Sequence, residues 1–189
     1  MVKEIVKAQY EEHKKVVEEN SQFVDEVTKA TEIIIKALKD KKRLYACGNG
    51  GSSCDAMHLV EEMVGRYKNN RPPLAAHNLM DPSTLTCISN DFGYDDVFSR
   101  PLDAYGQEGD IFVGITTSGN SPNVIKAFDV AKKKGMKTIL LLGKDGGKLK
   151  DKADAEILIK SEMTARIQEM HILAIHTFME CIDKEIFGV

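Results

Sequence analysis

Residues 44–53 read LYACGNGGSS, and in them a short apolar run ends in a turn rich in glycine and serine. Residues 111–121 repeat the arrangement, because the apolar run IFVGI is followed there by TTSGNS. Each turn precedes a segment with helical periodicity, so each presents backbone N–H groups at the start of a helix. Glycines let a ligand approach the backbone, and the helix dipole favours negative charge at that point. The two turns, which contain hydroxyls but no lysine or arginine, therefore predict a binding site for a phosphorylated small molecule.

Short apolar runs alternate with helical segments along the rest of the chain. Five runs have the length of strands: residues 44–47, 74–76, 111–115, 138–142 and 156–159. Most of them are continuous rather than alternating, which is typical of parallel strands covered on both faces. Helical periodicity separates several of them: residues 53–66, 122–134 and about 164–186. This order predicts an α/β fold, a doubly wound parallel five-stranded sheet flanked by helices, with ligands bound beyond the carboxyl ends of the strands.

A long helical segment precedes the sheet. Residues 2–39 are predicted to form two helices that meet near Asn20 and Ser21. The first has an apolar stripe: Val2, Ile5, Val6, Val16 and Val17. The final helix is apolar on nearly every side from Met170 to Ile182, which is typical of a helix buried on more than one side and suggests a helical oligomer interface. We expect one domain over residues 1–189, in which residues 1–40 form a helical extension used in oligomerisation and residues 43–189 form the α/β core.

The charge and cysteine content exclude several classes of protein. The 189 residues carry 26 basic and 29 acidic side chains, a net charge of −3, and no basic tract stands out. Nucleic acid is therefore not an expected partner. The sequence shows no secretory signal, no apolar stretch of membrane-spanning length, and no C-x-x-C spacing among its four cysteines. We expect a cytoplasmic protein without a membrane partner.

Neither polar turn matches a nucleotide-binding motif, so no nucleotide cofactor is expected. A Walker A loop is excluded because no Gly-Lys-Ser/Thr follows the glycines of residues 48–51. The dinucleotide motif G-x-G-x-x-G is incomplete because Ser53 stands at the third glycine position. In the second turn, Ser121 is a good helix N-cap and Pro122 suits the first helical position. Taken alone, that turn is explained equally well by a phosphate site and by a helix N-terminus whose Ser and Thr hydroxyls bond only to the local backbone.

The helix after the first turn carries a candidate pair of chemical groups. His58 and Glu62 are four residues apart and share one face of the helix. The same spacing suits a solvent-facing pair, two metal ligands, or a general acid and base. Arg66, one turn further along, can hold a substrate oxygen or pair with Glu62. The opposite arc is apolar and is predicted to pack on the sheet: Ala56, Leu59, Val60, Met63 and Val64.

The final helix and a further polar turn add candidates. Gln168 and His176 lie about 80° apart around the helix, so both can reach one pocket. His171 points away from His176, so at most one of the two histidines is expected to do chemistry, and a hydrogen-bonded core histidine is the default for either. Residues 89–94 read SNDFGY and form a predicted polar turn, in which Asn90 and Asp91 either hold sugar hydroxyls or make an Asx-turn.

Several motifs occur in order along the chain: GNGGS at 48–52 with Asp55, His58 and Glu62, NDFG at 90–93, TSGNS at 117–121, KDGG at 144–147, and RIQE at 166–169 with His171 and His176. Taken together, these motifs resemble those of the phosphoheptose isomerases, which are sugar isomerase (SIS) domain proteins. The resemblance runs from about residue 43 to the C-terminus, and no single motif carries it.

The resemblance implies an SIS fold and an aldose–ketose isomerase. The implied reaction interconverts sedoheptulose 7-phosphate and D-glycero-D-manno-heptose 7-phosphate through an enediol. This reaction is the first step of bacterial heptose biosynthesis for lipopolysaccharide or surface polysaccharide. The resemblance also implies a homotetramer with active sites between subunits.

The resemblance further implies roles for individual residues. Glu62 and His176 would be the catalytic acid–base pair, and Glu62 would also contact the substrate. The phosphate would be held by Ser52, Thr117, Ser118 and Ser121, with Thr116 nearby. The sugar would be contacted by Asn49, Gly50, Gly51, Arg66, Asn90, Asp91 and Gln168. Some members bind zinc, and the ligands would be His58, Glu62, Gln168 and His176.

Two positions depart from the family pattern. Ser53 replaces a histidine common in close relatives, and Ala165 stands where many carry an aspartate.

Two other classes of SIS protein are alternatives to the isomerase. Non-catalytic SIS proteins, including a tetramer that associates with the replication initiator, share the stretch at 166–171 but lack the carboxylate and histidine found here at Glu62 and His176. Sugar-phosphate sensors that regulate transcription usually carry an added DNA-binding domain, which this sequence does not contain. The two retained residues favour the enzyme.

Overall fold

A five-stranded parallel sheet forms the centre of the protein. The computed structural model describes residues 1–189. The strands are β1 Leu44–Gly48, β2 Ala76–Asn78, β3 Ile111–Thr116, β4 Lys137–Gly143 and β5 Ala155–Ile159. Their order in the sheet is β2-β1-β3-β4-β5, and all neighbouring strands are parallel. The order reverses between β1 and β3, and this is the point at which such sheets open a ligand-binding crevice.

The chain has seven α-helices, of which all but the first cover the two faces of the sheet. They are α1 Val2–Glu19, α2 Phe23–Lys39, α3 Gly51–Val64, α4 Pro82–Asp91, α5 Ser99–Tyr105, α6 Pro122–Lys133 and α7 Thr164–Ile182. Helices α2, α3 and α7 share one core with sheet residues such as Leu44 and Ala46. Helices α4, α5 and α6 share a second core with the alternate residues, such as Tyr45 and Cys47. The predicted doubly wound fold is confirmed.

The segment between β1 and β3 differs most from the sequence prediction. The strand predicted at residues 74–76 is displaced to Ala76–Asn78, because the N–H of Leu74 donates to the Met63 carbonyl at the end of α3 (N···O 3.0 Å). Helices α4 and α5 were not predicted. The start of α4 nevertheless carries a local signal, since Asp81 accepts a hydrogen bond from the Thr84 N–H at 2.8 Å and Pro82 occupies the first turn.

The first and last helices are covered to different degrees. In α1 only Val16 is buried, and Val2, Ile5 and Val6 are 76%, 58% and 63% exposed. The apolar residues of α7 are mostly covered within the chain, by the sheet and by α2 and α3. Burial within the chain therefore accounts for most of the apolar character of α7, whereas Val2, Ile5 and Val6 of α1 remain largely exposed. No helix combines the length and the apolar character that a membrane span requires.

His171 is a core histidine, and its burial should make folding sensitive to acid. The ring is fully buried, and Nε2 donates a hydrogen bond to the Leu142 carbonyl oxygen at 2.9 Å. Burial lowers the pKa of His171 from 6.5 to about 4, although the bond to Leu142 acts in the opposite direction. Between these two pH values the unfolded chain binds a proton that the folded chain excludes.

We expect the free energy of unfolding to fall by up to about 3 kcal/mol as the pH drops through this range, because each pKa unit corresponds to about 1.4 kcal/mol. The contribution is fully present above the unfolded pKa and is lost towards the folded one. His171→Gln keeps a donor for Leu142 but cannot become charged, so its unfolding should lack this part of the pH dependence. Urea unfolding of both proteins measures the difference, and parallel curves would contradict the expectation.

Candidate active site

The two polar turns lie side by side at the carboxyl edge of the sheet. Strands β1 and β3 are neighbours, with Gly48 paired to Ile115, and the turns follow them directly. Helix α3 begins at Gly51, after Gly50 with a φ of 56°. The first turn is so tight that a Cβ atom at Gly48 would lie 2.5 Å from the Ser52 carbonyl oxygen, which only glycine avoids. Two helix N-termini therefore meet where a ligand is expected.

The hydroxyls of the second turn bond to one another rather than to the start of α6. Ser121 is the N-cap residue of α6, as predicted, but its side chain makes no cap hydrogen bond. Its Oγ lies 2.9 Å from Thr116 Oγ1, which in turn lies 3.5 Å from Ser118 Oγ. A helix cap therefore does not account for the Ser121 hydroxyl.

The loop after β4 supports this hydroxyl turn. Gly119 has a φ of 63°, and a Cβ atom there would overlap the carbonyl oxygen of Gly146. Asn120 adds two hydrogen bonds, because Oδ1 accepts from the Lys148 N–H at 3.1 Å and Nδ2 donates to the Ser118 carbonyl at 2.8 Å. The conformation of the turn is therefore set partly by a loop that follows a different strand.

Asn49 belongs to a hydrogen-bond network that the sequence did not predict. Asn49 and Asn123 exchange two side-chain hydrogen bonds of 2.9 Å, and the Tyr94 hydroxyl donates to Asn49 Oδ1 at 2.9 Å. Asn123 Oδ1 also accepts from the Val124 N–H at 2.9 Å, which fixes the orientation of both amides. One N–H of the Asn49 amide remains available for a ligand. Asn123 lies 74 positions from Asn49, so only the fold brings the two together.

A carboxylate and two imidazoles converge between α3 and α7. His58 Nε2 lies 3.2 Å from Glu62 Oε1 and 3.3 Å from His176 Nε2. One ligand atom from each of the three residues lies within 4.8 Å of the others. The Glu62 side chain is 14% exposed and that of His58 is 36% exposed, so the carboxylate is the more desolvated group. The pair thus faces α7 rather than open solvent.

These three groups have the donor types and separations of a zinc site. Imidazole nitrogens and carboxylate oxygens are ordinary zinc ligands, and neighbouring ligand atoms around a tetrahedral zinc ion are about 3.4 Å apart. The separations of 3.2 and 3.3 Å are close to this value. Two imidazole nitrogens in direct contact also need a shared proton or a cation between them. His58, Glu62 and His176 therefore fit a bound metal ion.

Gln168 reaches the first polar turn from α7. Its amide group covers Gly51, because a Cβ atom at Gly51 would overlap Nε2 of Gln168 and lie 2.8 Å from its Oε1. Gln168 and His176 therefore both point towards α3.

Three of the predicted substrate contacts, Arg66, Asn90 and Asp91, lie in secondary structure that differs from the prediction. Arg66 does not continue α3, because the helix ends at Val64 with Gly65 as its C-cap. Asn90 and Asp91 occupy the last turn of α4 instead of an irregular turn, and the Asn90 amide donates to Asp91 Oδ1 at 2.7 Å. All three are exposed, and none forms a hydrogen bond to the His58–Glu62–His176 cluster.

The early end of α3 also affects Val64, which was predicted to pack on the sheet. Ala56, Leu59 and Met63 are fully buried, whereas Val64 is 49% exposed. The prediction is correct for the remaining residue of the apolar arc, Val60, which packs against the core.

Two residues near the cluster were not assigned a role by sequence reasoning. Asp55 lies one turn before His58, and burial raises its pKa to about 6 against the opposing influence of His58. The Tyr67 ring lies 5.8 Å from that of His176, centroid to centroid. The three-residue spacing to His58 is a local signal for Asp55, but no local signal exists for Tyr67.

Of the two departures from the family pattern, Ser53 is buried and Ala165 is exposed.

Comparison with known proteins identifies the family. The family model of the SIS domain matches residues 8–143. A phosphoheptose isomerase of Fusobacterium nucleatum is 45% identical over 96% of this chain and 93% of its own length. The chain belongs to the phosphoheptose isomerase family. Membership in this family favours an isomerase over the non-catalytic SIS proteins.

Solved phosphoheptose isomerases share the fold over nearly their whole length. The enzyme from Neisseria gonorrhoeae is 41% identical, with a TM-score of 0.91 over 97% of this chain and 100% of its own. The enzyme from Francisella tularensis is 30% identical, with a TM-score of 0.93 over 97% of this chain and 99% of its own. The predicted family and the predicted SIS fold are therefore confirmed.

Proposed function

We propose that this chain is an aldose–ketose isomerase that interconverts sedoheptulose 7-phosphate and D-glycero-D-manno-heptose 7-phosphate. The observation that carries the proposal is the meeting of Glu62 and His176 between α3 and α7, where α3 starts in the first polar turn. The reaction would be the first step of bacterial heptose biosynthesis for lipopolysaccharide or surface polysaccharide. It takes place in the cytoplasm.

The two polar turns hold the phosphate in this proposal. The hydroxyls of Ser52, Thr117, Ser118 and Ser121 contact it, and Thr116 bonds to Ser121 behind them at 2.9 Å. Helix N-termini stabilise a phosphate without lysine or arginine. Because the phosphate is remote from the reacting carbons, its binding energy serves to place C1 and C2 beside the base.

Glu62 acts as the base, and His176 exchanges protons with the oxygens. The Glu62 carboxylate removes a proton from C1 of the ketose while His176 delivers one to the C2 oxygen, which gives the enediol. Glu62 then returns its proton to C2 while the O1 hydroxyl gives its proton to His176, which gives the aldose. The sugar hydroxyls are contacted by Asn49, Gly50, Gly51, Arg66, Asn90, Asp91 and Gln168. This proton balance is complete without a nucleotide or redox cofactor.

A zinc ion fits into the same proposal. Its ligands would be His58, Glu62, Gln168 and His176, of which the two histidines and the glutamate lie within 4.8 Å of one another. When bound, the ion would polarise the substrate carbonyl. Gln168 would contribute an amide oxygen, which is an uncommon zinc ligand.

Residues 1–40 serve oligomerisation in this proposal, and residues 43–189 bind the sugar phosphate. The exposed stripe of Val2, Ile5 and Val6 on α1 supports a homotetramer, because apolar surface of this kind favours association. A partly apolar cavity of about 840 Å³ between α2 and the end of α7 adds a second uncovered surface. This cavity is lined by none of the proposed catalytic residues.

The proposed reaction is tested with the wild-type protein and sedoheptulose 7-phosphate in deuterated buffer, followed by NMR. Formation of the aldose phosphate with deuterium at C2 would support both the isomerase and its enediol route. Binding without product or exchange, with and without added zinc, would favour a non-catalytic SIS protein. Rates measured before chelation, after chelation and after restoration of zinc test the metal separately.

His176→Ala is expected to abolish turnover while leaving the oligomer intact, because no other residue is proposed to exchange protons with the substrate oxygens. The loss of kcat should be about 10²-fold or more. The matched control is His171→Gln on the same helix, which should keep the wild-type rate because His171 bonds only to Leu142. Ordinary turnover by His176→Ala would remove His176 from the mechanism.

Gly51→Ala is expected to displace the Gln168 amide and to lower kcat/KM by about tenfold, because the added methyl group overlaps that amide. The free energy of unfolding should change little, since Gly51 is exposed at the start of α3 and the Gln168 side chain can move. Steady-state kinetics and thermal melting measure the two effects. In a Gln168→Ala background the same change should add nothing, and an equal loss in both backgrounds would contradict the role of Gln168.

A further inference from the structure

Arg71 fills the space between the end of α3 and the chain that follows α7. Its side chain is 1% exposed. Nη2 donates to the Glu62 carbonyl oxygen at 2.7 Å, and Nη1 donates to that of Met63 at 2.7 Å and to that of Pro72 at 3.1 Å. The Glu62 and Met63 carbonyls belong to the last turn of α3, where no N–H of the same helix can reach them. Arg71 therefore caps the negative end of the helix that carries Glu62.

A fourth hydrogen bond connects this cap to the helix that carries His176. Arg71 Nε donates to Asp183 Oδ1 at 2.9 Å, and the Asp183 side chain is 4% exposed. Asp183 directly follows α7, about two turns beyond His176. The other carboxylate oxygen of Asp183 is buried and forms no hydrogen bond. Each charge therefore depends on the other, and removal of one would leave a buried unpaired charge.

We infer that Arg71 and Asp183 are positioning residues that set the separation of Glu62 and His176. The inference rests on the proposed function, in which these two residues exchange protons with the same substrate. The pair, here called the strut, holds the ends of α3 and α7 at one point, and it binds Glu62 through that residue's own main-chain carbonyl. The fork of the guanidinium group allows one side chain to make all of these contacts, which a lysine cannot do.

The strut makes no hydrogen bond to either polar turn. Loss of the strut should therefore affect kcat more than the binding of the phosphate. A pair that only stabilised the fold would produce a different result, because its removal would lower the amount of folded protein without changing kcat per folded molecule.

A second ion pair joins the same two segments and provides a matched control. Lys68 pairs with Glu180, but their side chains are 60% and 34% exposed, and neither bonds to a carbonyl of α3. Exposed pairs of this type contribute little to stability. Glu180→Gln should therefore retain the wild-type kcat to within about twofold.

The test compares Asp183→Asn and the double variant Arg71→Met/Asp183→Leu with the wild-type protein. Well below its melting temperature, Asp183→Asn should have a kcat lowered by about 10²-fold and a KM changed by less than about threefold. The double variant removes both buried charges, so its melting temperature should return towards the wild-type value. Its kcat should remain low, because nothing holds the Glu62 carbonyl.

A measurement that needs no turnover keeps this inference separate from the proposed function. In protein labelled only at histidine, the nuclear Overhauser effect between the rings of His58 and His176, whose centroids lie 5.0 Å apart, should weaken in both variants. An effect of wild-type strength in the variants, or a kcat that recovers with the melting temperature of the double variant, would overturn the inference. An inactive wild-type protein would count against the proposed function alone, since the ring contact still tests the strut.

Discussion

Glu62→Gln is expected to lower kcat by about 10²–10⁴-fold, because an amide cannot accept the proton that the carboxylate takes from carbon. The substitution keeps the shape of a side chain that is only 14% exposed, and its amide oxygen can still face His58. Folding and assembly should therefore be unchanged. Turnover of sedoheptulose 7-phosphate and incorporation of deuterium at C2, both followed by NMR, measure the loss, and native mass spectrometry checks the oligomer.

The neighbouring carboxylate provides the control for this prediction. Glu61 Oε1 lies 3.8 Å from His58 Nε2, but the Glu61 side chain is 66% exposed. Glu61→Gln removes the same charge from the same helix and should keep the rate to within about twofold, because exposed ion pairs contribute little. If Glu62→Gln turns over as fast as Glu61→Gln, Glu62 is not the base.

Gly119→Ala is expected to raise KM by about tenfold or more and to lower the free energy of unfolding by about 2 kcal/mol or more. Two effects add. The φ of 63° disfavours any residue with a Cβ atom, and this Cβ would overlap the carbonyl oxygen of Gly146. Relief of the overlap requires movement of backbone, either in the hydroxyl turn or in the loop after β4. Enzyme kinetics and denaturant unfolding measure the two changes.

Gly188→Ala separates the two effects. Gly188 also has a positive φ, 70°, but an added Cβ would meet no atom within 4 Å. This variant should lose about 1 kcal/mol from backbone strain alone and keep the wild-type KM. If Gly119→Ala behaves like Gly188→Ala in both measurements, the contact with Gly146 does not shape the phosphate site.

The sequence predicted those parts of the fold that have short-range signals. The apolar runs of β1, β3 and β4 and the helix start at Pro122 were placed correctly, because strand runs and caps depend on adjacent residues. Helix α4 was missed although Asp81 and Pro82 mark its start, because neither α4 nor α5 has a long apolar repeat of helical period. They are stabilised by burial of a few side chains against the sheet, including Ile88 and Leu102.

For the candidate site, the sequence by itself determined which residues lie on the same helix or in the same turn. His58 and Glu62 lie on one face of α3, and Gln168 and His176 on a common side of α7, because the period of the α-helix decides both. The polar turns at the ends of β1 and β3 could likewise be predicted from the sequence, since glycine and hydroxyl residues follow apolar runs there.

Only the tertiary structure decided which of these faces meet. His176 lies 118 residues from His58, and the packing of α7 against α3 brings their Nε2 atoms to 3.3 Å. Arg71 and Asp183 lie 112 residues apart, and neither has a local pattern that indicates its partner. A periodic pattern specifies that an apolar face must be buried but not which surface will cover it. The chemical groups could therefore be named from the sequence, whereas their distances and the buried pair beneath them depend on how the helices pack on the sheet.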